Sequence, residues 1–363
     1  MQKYLLKSKL VLLFLNTLLV LKKKIKNKMS NSEDEKKYVI SLDLGGSNST
    51  FGIVNKKGEI LRRINISTQT HENADDYIQS SIEALKPLIS EFGRENIYAM
   101  GIGAPNANYY KGTIEHAVNI SWAHTSIVPI CQKFSEKLDN LPCFLTNDAK
   151  AAALGEKNFG AAKGMKDFIM ITLGTGLGTG IIANGEIVYG HDGCAGELGH
   201  MTIDYSENAR QCLCGKKGCL EAYASAKGMI NTTQELLNKH PELESKLRDL
   251  REDEMNAYEI YLAAKKGDII ANKVFEITGD VLGKACANFT LFSSPEAYIF
   301  FGSLSESKNI LLPIIELVYN NNVMKVFKNK AKFLLSGIKG SDAALLGAAA
   351  LAWEGIEKNK NVK

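Results

Sequence analysis

Three cysteines fall within eight residues in RQCLCGKKGCLEAY (Arg210–Tyr223), and His200 precedes them with eleven residues between it and Cys212. The pattern His200…Cys212-x-Cys214-x4-Cys219 offers one imidazole and three thiolates, the donor set of a closed tetrahedral zinc site with no position left for water. Such a site is structural. Gly215 and Gly218 supply the turns that fold the thiolates onto one point. The alternative reading is three free thiols in a tight loop. The chain has seven cysteines, an odd number, and the other four (Cys131, Cys143, Cys194, Cys286) are scattered through apolar surroundings. That argues against a disulfide framework and for a reducing, cytoplasmic compartment, where clustered cysteines are metal ligands more often than bridges. Glu221, two residues after Cys219, is held rigidly by such a site, and Glu197 and His200, three apart, share a face if their segment is helical.

A second kind of chemistry is written in glycines and carboxylates. LDLGGSNS (42–49) and LGTGLGTG (173–180) each place glycines after an apolar strand. Glycine lets backbone N–H groups approach phosphate oxygens, because no Cβ blocks them. Two such hairpins from opposite halves can grip a polyphosphate from both sides, although a plain hairpin remains the alternative for the second stretch. No G-x-x-x-x-G-K-[ST] occurs, nor a G-x-G-x-x-G opening a helix, so neither a P-loop nor a dinucleotide site is supported. Asp43, at a strand end beside the glycines, sits where a magnesium ion bridging phosphates takes an oxygen ligand. Asn147-Asp148 closes another strand before a helix. Asp148 is either that helix's N-cap or a catalytic group at a strand end facing a cleft. Phosphoryl transfer to a hydroxyl needs one carboxylate to accept the proton and a metal to neutralise the phosphates, roles that Asp148 and Asp43 fill.

These residues need an alternating framework to hold them. YVISLDLGG and IYAMGIGAP read as buried strands ending in glycine, and LPCFLTND as a third strand. Ala74–Phe92 has helical apolar spacing, AKAAALGEKNFG is an alanine-rich helix, and DAALLGAAALAW a C-terminal one. Residues 224–290 are helix-rich, broken at Pro241 and Gly267, and EAYIFFGSLS is a late strand. One internal comparison outweighs any single element. ISLDLGGSNSTFGIVNKKGEI (from Ile40) and IMITLGTGLGTGIIANGEI (from Ile169) share a layout of strand, glycine turn, strand and Gly-Glu-Ile turn, with Asp43 matching Thr172 and Gly45 matching Gly174 at a separation of 129 residues. That is too long for a solenoid repeat and predicts two similar α/β halves facing one another.

Charge excludes one class of partner. The net charge is +4, but residues 1–28 carry eight lysines and no acid, so the body has 36 positive against 40 negative side chains. A mildly acidic body gives no electrostatic reason to bind nucleic acid. The apolar run Leu10–Leu21 of that leader has 12 residues. As a helix it rises about 18 Å, short of the roughly 30 Å of a bilayer core, so no stable membrane insertion is expected. The reading preferred here is translation from Met29, with a targeting or membrane-associating leader as the alternative.

DLGG-S, GIGAP with AVNISW after it, TNDAKAAALGE, ITLGTGLGTGI, GELGHM and CLCGKKGCLE, in this order over roughly residues 37–353, resemble the ROK family (repressors, open reading frames and kinases). The resemblance implies an α/β actin/hexokinase-like ATPase fold of two RNase H-like lobes with an interdomain cleft. Residues 1–36 are then a leader outside the fold, 37–147 with 341–358 the small lobe and its closing helix, and 148–340 the large lobe with the zinc site. It further implies ATP-dependent phosphorylation of glucose to glucose 6-phosphate, with ATP, Mg2+ and structural Zn2+, in a homodimer. By that pattern Asp148 is the catalytic base, and Asn119, Asn147, Glu197, His200 and Glu221 contact the sugar. His200 then serves twice, one nitrogen for zinc and one towards the sugar. Asp43, Gly45, Gly46 and Ser47 belong to the first phosphate loop, Gly174, Thr175 and Gly176 to the second, and Gly302 to the adenosine side; His200, Cys212, Cys214 and Cys219 are the metal ligands. Lys150 stands where the family often has asparagine, and Ser303 where it usually has glycine. The alternatives are an N-acetylhexosamine or fructose kinase of the same family, or a sugar-responsive repressor.

Overall fold

Two five-stranded sheets share one strand order. The first is built from β1 (Tyr38–Leu44), β2 (Asn48–Asn55), β3 (Ile60–Ser67), β4 (Ile97–Gly103) and β8 (Cys143–Thr146), and the second from β9 (Phe168–Leu173), β10 (Leu177–Ala183), β11 (Glu186–Ile187), β12 (Ala297–Phe301) and β13 (Lys332–Leu335). Their orders are β3-β2-β1-β4-β8 and β11-β10-β9-β12-β13. In each, three antiparallel strands are followed by two that run parallel to the first. The internal match at 129 residues is therefore a repeat of topology: Asp43 lies on β1 and Thr172 at the same place on β9. The computed structural model describes residues 37–302, 307–340 and 342–361. The lysine-rich leader and Ser303 lie outside the described residues.

The strands form where the chain has apolar runs buried on both faces, as in Val39 and Ile40 of β1 and Ala99 and Met100 of β4, each pair divided between two different core clusters. Helix Ala74–Phe92 lays Tyr77, Ile78, Ile82 and Leu85 on that sheet and is capped by the Asn73 side chain, which accepts from the Asp76 amide. Its Tyr77 hydroxyl donates to Ser49 Oγ at 2.8 Å, and Ser49 is bonded in turn to Thr68 Oγ1 at 2.7 Å, which backs the first glycine turn with a buried polar chain. On the second sheet, helix Ile269–Ser293 buries Phe275, Leu282 and Phe289 in one cluster with Ile171, Tyr298 and Phe300. Each such side chain contributes about 2 kcal/mol by leaving water.

The two sheets are joined by helices that change sides. Helix Asp148–Phe159 follows β8 of the first sheet and packs against β9 and β10 of the second; helix Asp342–Asn361 follows β13 of the second and packs against β1, β4 and β8 of the first. They also pack on each other. Alanine and glycine make this possible. A Cβ at Gly155 would come within 3.0 Å of the Ala343 carbonyl and 3.1 Å of the Gly347 amide, so the two backbones nearly touch.

Between β4 and β8 the chain inserts a small sheet of β5 (Ala107–Asn108), β6 (Thr113–Glu115) and β7 (Ile127–Val128), which the sequence does not announce. No helix among the described residues is long and apolar enough to cross a membrane.

Candidate active site

β1, β4 and β8 end at one level. Asp43 pairs with Gly103, and Gly103 pairs with Thr146, the residue before Asn147-Asp148. Gly103 keeps the floor open: a Cβ there would meet Ala151 Cβ at 3.2 Å and lie 3.9 Å from Asp148 Cα. Asp43 and Asp148 therefore share one end of the sheet. Burial and then the Asp148 charge push the Asp43 carboxyl up to about 6. Asp148 is exposed to solvent. The protein packed around it still strips enough hydration to raise its pKa above the ordinary value, against the backbone hydrogen bonds and the Lys150 charge that lower it.

The first glycine hairpin follows Asp43 directly, and the strand leaving the second packs Gly178 on Ala149, the residue after Asp148. In the first, the Gly45 amide donates to the Asn48 carbonyl at 3.0 Å, and Gly46 lies so close to the Asn119 backbone that a Cβ would overlap it. Ser47 is exposed beside them, its Oγ accepting from Gln69 at 3.0 Å. In the second, the Gly174 amide donates to the Gly176 carbonyl at 3.0 Å, with Thr175 exposed at the tip. Gly302, at φ +112°, sits against the Leu173 backbone where any side chain would collide, so it backs this hairpin directly.

Glu197 and His200 lie on a single 3-10 turn, Leu198–His200 with Glu197 at its N-terminus. Gly199 brings the turn onto the Leu177 carbonyl of β10, and Thr179 of β10 bonds both the Gly196 carbonyl and the Leu198 amide, the latter at 3.2 Å. His200 Nδ1 is 3.6 Å from Cys212 Sγ, and Cys214 Sγ is 3.6 Å from Cys219 Sγ; the four donor atoms lie within 4.8 Å of one another. A tetrahedron with bonds of about 2.3 Å has edges of about 3.8 Å, so these spacings fit a zinc ion. Gly215 and Gly218, at φ +89° and +74°, make the turns. Burial, with the neighbouring thiols, pushes Cys212 up to about 12. Three thiols so placed resist ionising together until a cation joins them.

Residues 39–354 match the sequence signature of the ROK family. The chain belongs to the ROK family. It is 32% identical over 314 residues to a glucokinase from Halalkalibacterium halodurans, covering 86% of this chain and 93% of that protein. A glucokinase from Thermotoga maritima is 33% identical over 321 residues, 88% and 98% of the two chains. A ROK family glucokinase from Streptomyces griseus, solved in complex with glucose and AMPPNP, superposes with a TM-score of 0.68 at 30% identity, over 88% of this chain and all of that one. The actin/hexokinase-like fold of ROK sugar kinases is thus the fold of this protein.

Within this ROK chain three placements differ from, or add to, the sequence reading. The N-cap of helix Asp148–Phe159 is Asn147, whose side chain accepts from the Ala149 amide at 3.0 Å; Asp148 is the first helical residue, one of its oxygens accepting from the same amide at 2.7 Å. Glu221 lies between two parts of the site: Oε2 accepts from the Leu177 amide of the second hairpin at 2.8 Å, and Oε1 is 3.7 Å from Cys212 Sγ. Lys150 is buried. Among charged residues a buried lysine is rare, but its helix gave no sign of that beyond the alanines around it.

Proposed function

We propose that this ROK protein transfers the γ-phosphoryl group of ATP to the 6-hydroxyl of glucose, giving glucose 6-phosphate and ADP. The observation that carries the reading is Asp148 just after β8, at the same sheet end as Asp43, in a chain that spans over nine-tenths of the length of glucokinases to which it is about a third identical. In this reading Asp148 accepts the hydroxyl proton as the sugar oxygen attacks phosphorus. Asn119, Asn147, Glu197, His200 and Glu221 hold the sugar; the amides of Gly45, Gly46, Ser47, Gly174, Thr175 and Gly176 cradle the phosphates, and Gly302 borders the adenosine.

Asp43 would hold magnesium, directly or through water, and that ion supplies charge neutralisation on the phosphates. His200, Cys212, Cys214 and Cys219 would hold zinc with no open position, and so anchored they would brace Glu221 and His200 without the metal touching substrate. Seven unpaired thiols support a cytoplasmic place in carbohydrate metabolism. The family resemblance supports a homodimer.

A panel of glucose, N-acetylglucosamine, N-acetylmannosamine and fructose with ATP, read by ADP release, tests the proposal. Glucose is expected to give the highest kcat/KM. Release with none of them would sink the kinase reading, and operator binding in a gel shift without ATP consumption would replace it with a repressor.

A further inference from the structure

Lys150 is 3% exposed, two residues after Asp148 in the first turn of its helix, and the mechanism above gives it no task. A buried ammonium persists only with partners. Lys150 Nζ lies 3.4 Å from the Gly193 carbonyl, to which it donates. Its stem passes Gly196, where a Cβ would stand 3.7 Å from Lys150 Cε. Glu197 lies beyond ion-pair distance but is foremost among the charges whose field acts on it, ahead of Cys194, Asp148 and Asp192. The side chain therefore runs from the helix that bears Asp148 to the underside of the loop that bears Glu197.

That loop needs holding. Gly190, Gly193 and Gly196 all have left-handed backbone, at φ +72°, +87° and +92°, and glycine, lacking a Cβ, restrains its own backbone least, so contacts from outside matter more here. The small inserted sheet grips the loop on another side: Asn108 Nδ2 donates to the Asp192 carbonyl at 3.2 Å, and the Tyr110 hydroxyl to the Gly190 carbonyl at 2.9 Å. Thr179 holds the loop beside Glu197, at the Gly196 carbonyl and the Leu198 amide, and Lys150 holds it at Gly193.

We propose that Lys150 is a positioning residue, its ammonium fixing the loop backbone at Gly193 so that the sugar-side loop carrying Glu197 stays in register with Asp148. Because Lys150 is closed to solvent it does not touch substrate. The proposal rests on the kinase reading for the roles of Glu197 and Asp148, but the contact itself does not.

Lys150→Met removes the ammonium and keeps the stem; Lys150→Arg keeps a charge. Losing a hydrogen bond to a charged group is expected to raise the glucose KM of Lys150→Met about tenfold. The ATP KM should stay where it is and kcat should move far less, and Lys150→Arg should recover much of the sugar affinity. Hydrogen exchange of the amides from Gly190 to Glu197 should quicken in Lys150→Met, while those of the second hairpin keep their rates. Unchanged loop exchange, or equal glucose KM in the Met and Arg variants, would overturn the proposal. A wild-type protein that phosphorylates no hexose would overturn the kinase reading alone, and loop exchange would still decide the role of Lys150.

Discussion

The Asp148 carboxylate stands close enough to Asp43 to add to the effect of burial on that residue, and together they bring Asp43 to about 6. A carboxyl whose folded pKa is raised holds its proton more tightly folded than unfolded. It therefore contributes stability below the ordinary carboxylate range and loses it as pH rises through about 6. Two outcomes are expected. The kcat/KM for ATP should fall as pH drops through about 6, because protonated Asp43 is no longer a ligand for the magnesium nucleotide. Asp43→Asn should unfold in denaturant no earlier than wild type at neutral pH, although its turnover is lost. A less stable Asp43→Asn would contradict the raised pKa.

Asp148→Asn tests the other member of the pair. The amide keeps the size of the side chain and its place at the start of the helix but cannot accept the hydroxyl proton. Turnover should fall by about 10²–10⁴, the usual worth of a general base, with glucose binding by titration calorimetry largely intact. Near-normal turnover would remove Asp148 from the role of base.

The thiol cluster links metal to sugar through two neighbours. His200 offers Nδ1 to the cluster, and Glu221 joins Cys212 to the second hairpin at Leu177. Cys214→Ser should lower the zinc content of the purified protein, its melting temperature and its glucose affinity together. Metal analysis and a glucose titration on one preparation check this. Normal zinc with an unchanged glucose KM would leave the cluster without a bracing role.

Much of this was legible in the chain, and the rest was hidden for identifiable reasons. Helix Ala74–Phe92 ends where its apolar spacing ends, and both glycine hairpins lie where strand meets glycine, because those signals are local. The repeat from Ile40 to Ile169 foretold two sheets of one order. The strands β5–β7 are two or three residues long and exist only through their pairing, so propensity carried no trace of them. Lys150 was visible only as a lysine where the family often has asparagine; its partner carbonyl at Gly193 lies 43 residues away in the chain. The capping side chain belongs to Asn147 although Asp148 is as good a capping residue by type, since the choice depends on where the backbone leaves β8.

The closest approach of the two crossing helices gives a test in which two ordinary effects oppose each other. Glycine inside a helix is worse than alanine by about 1 kcal/mol, so Gly347→Ala on helix Asp342–Asn361 should stabilise if propensity alone counted. A Cβ at Gly347, however, would overlap the carbonyl of Ala151 on the facing helix, and backbone cannot swing aside as a side chain can. Overpacking of this kind costs about 1–3 kcal/mol, and a contact with backbone falls towards the upper end. Gly347→Ala is therefore expected to be the less stable protein, by about 1–2 kcal/mol in denaturant titration once the helical gain is set against the clash. Since Asp148 begins the helix that is pushed, kcat should drop as well while the protein remains folded. A variant more stable than wild type would show that the helices have room to part.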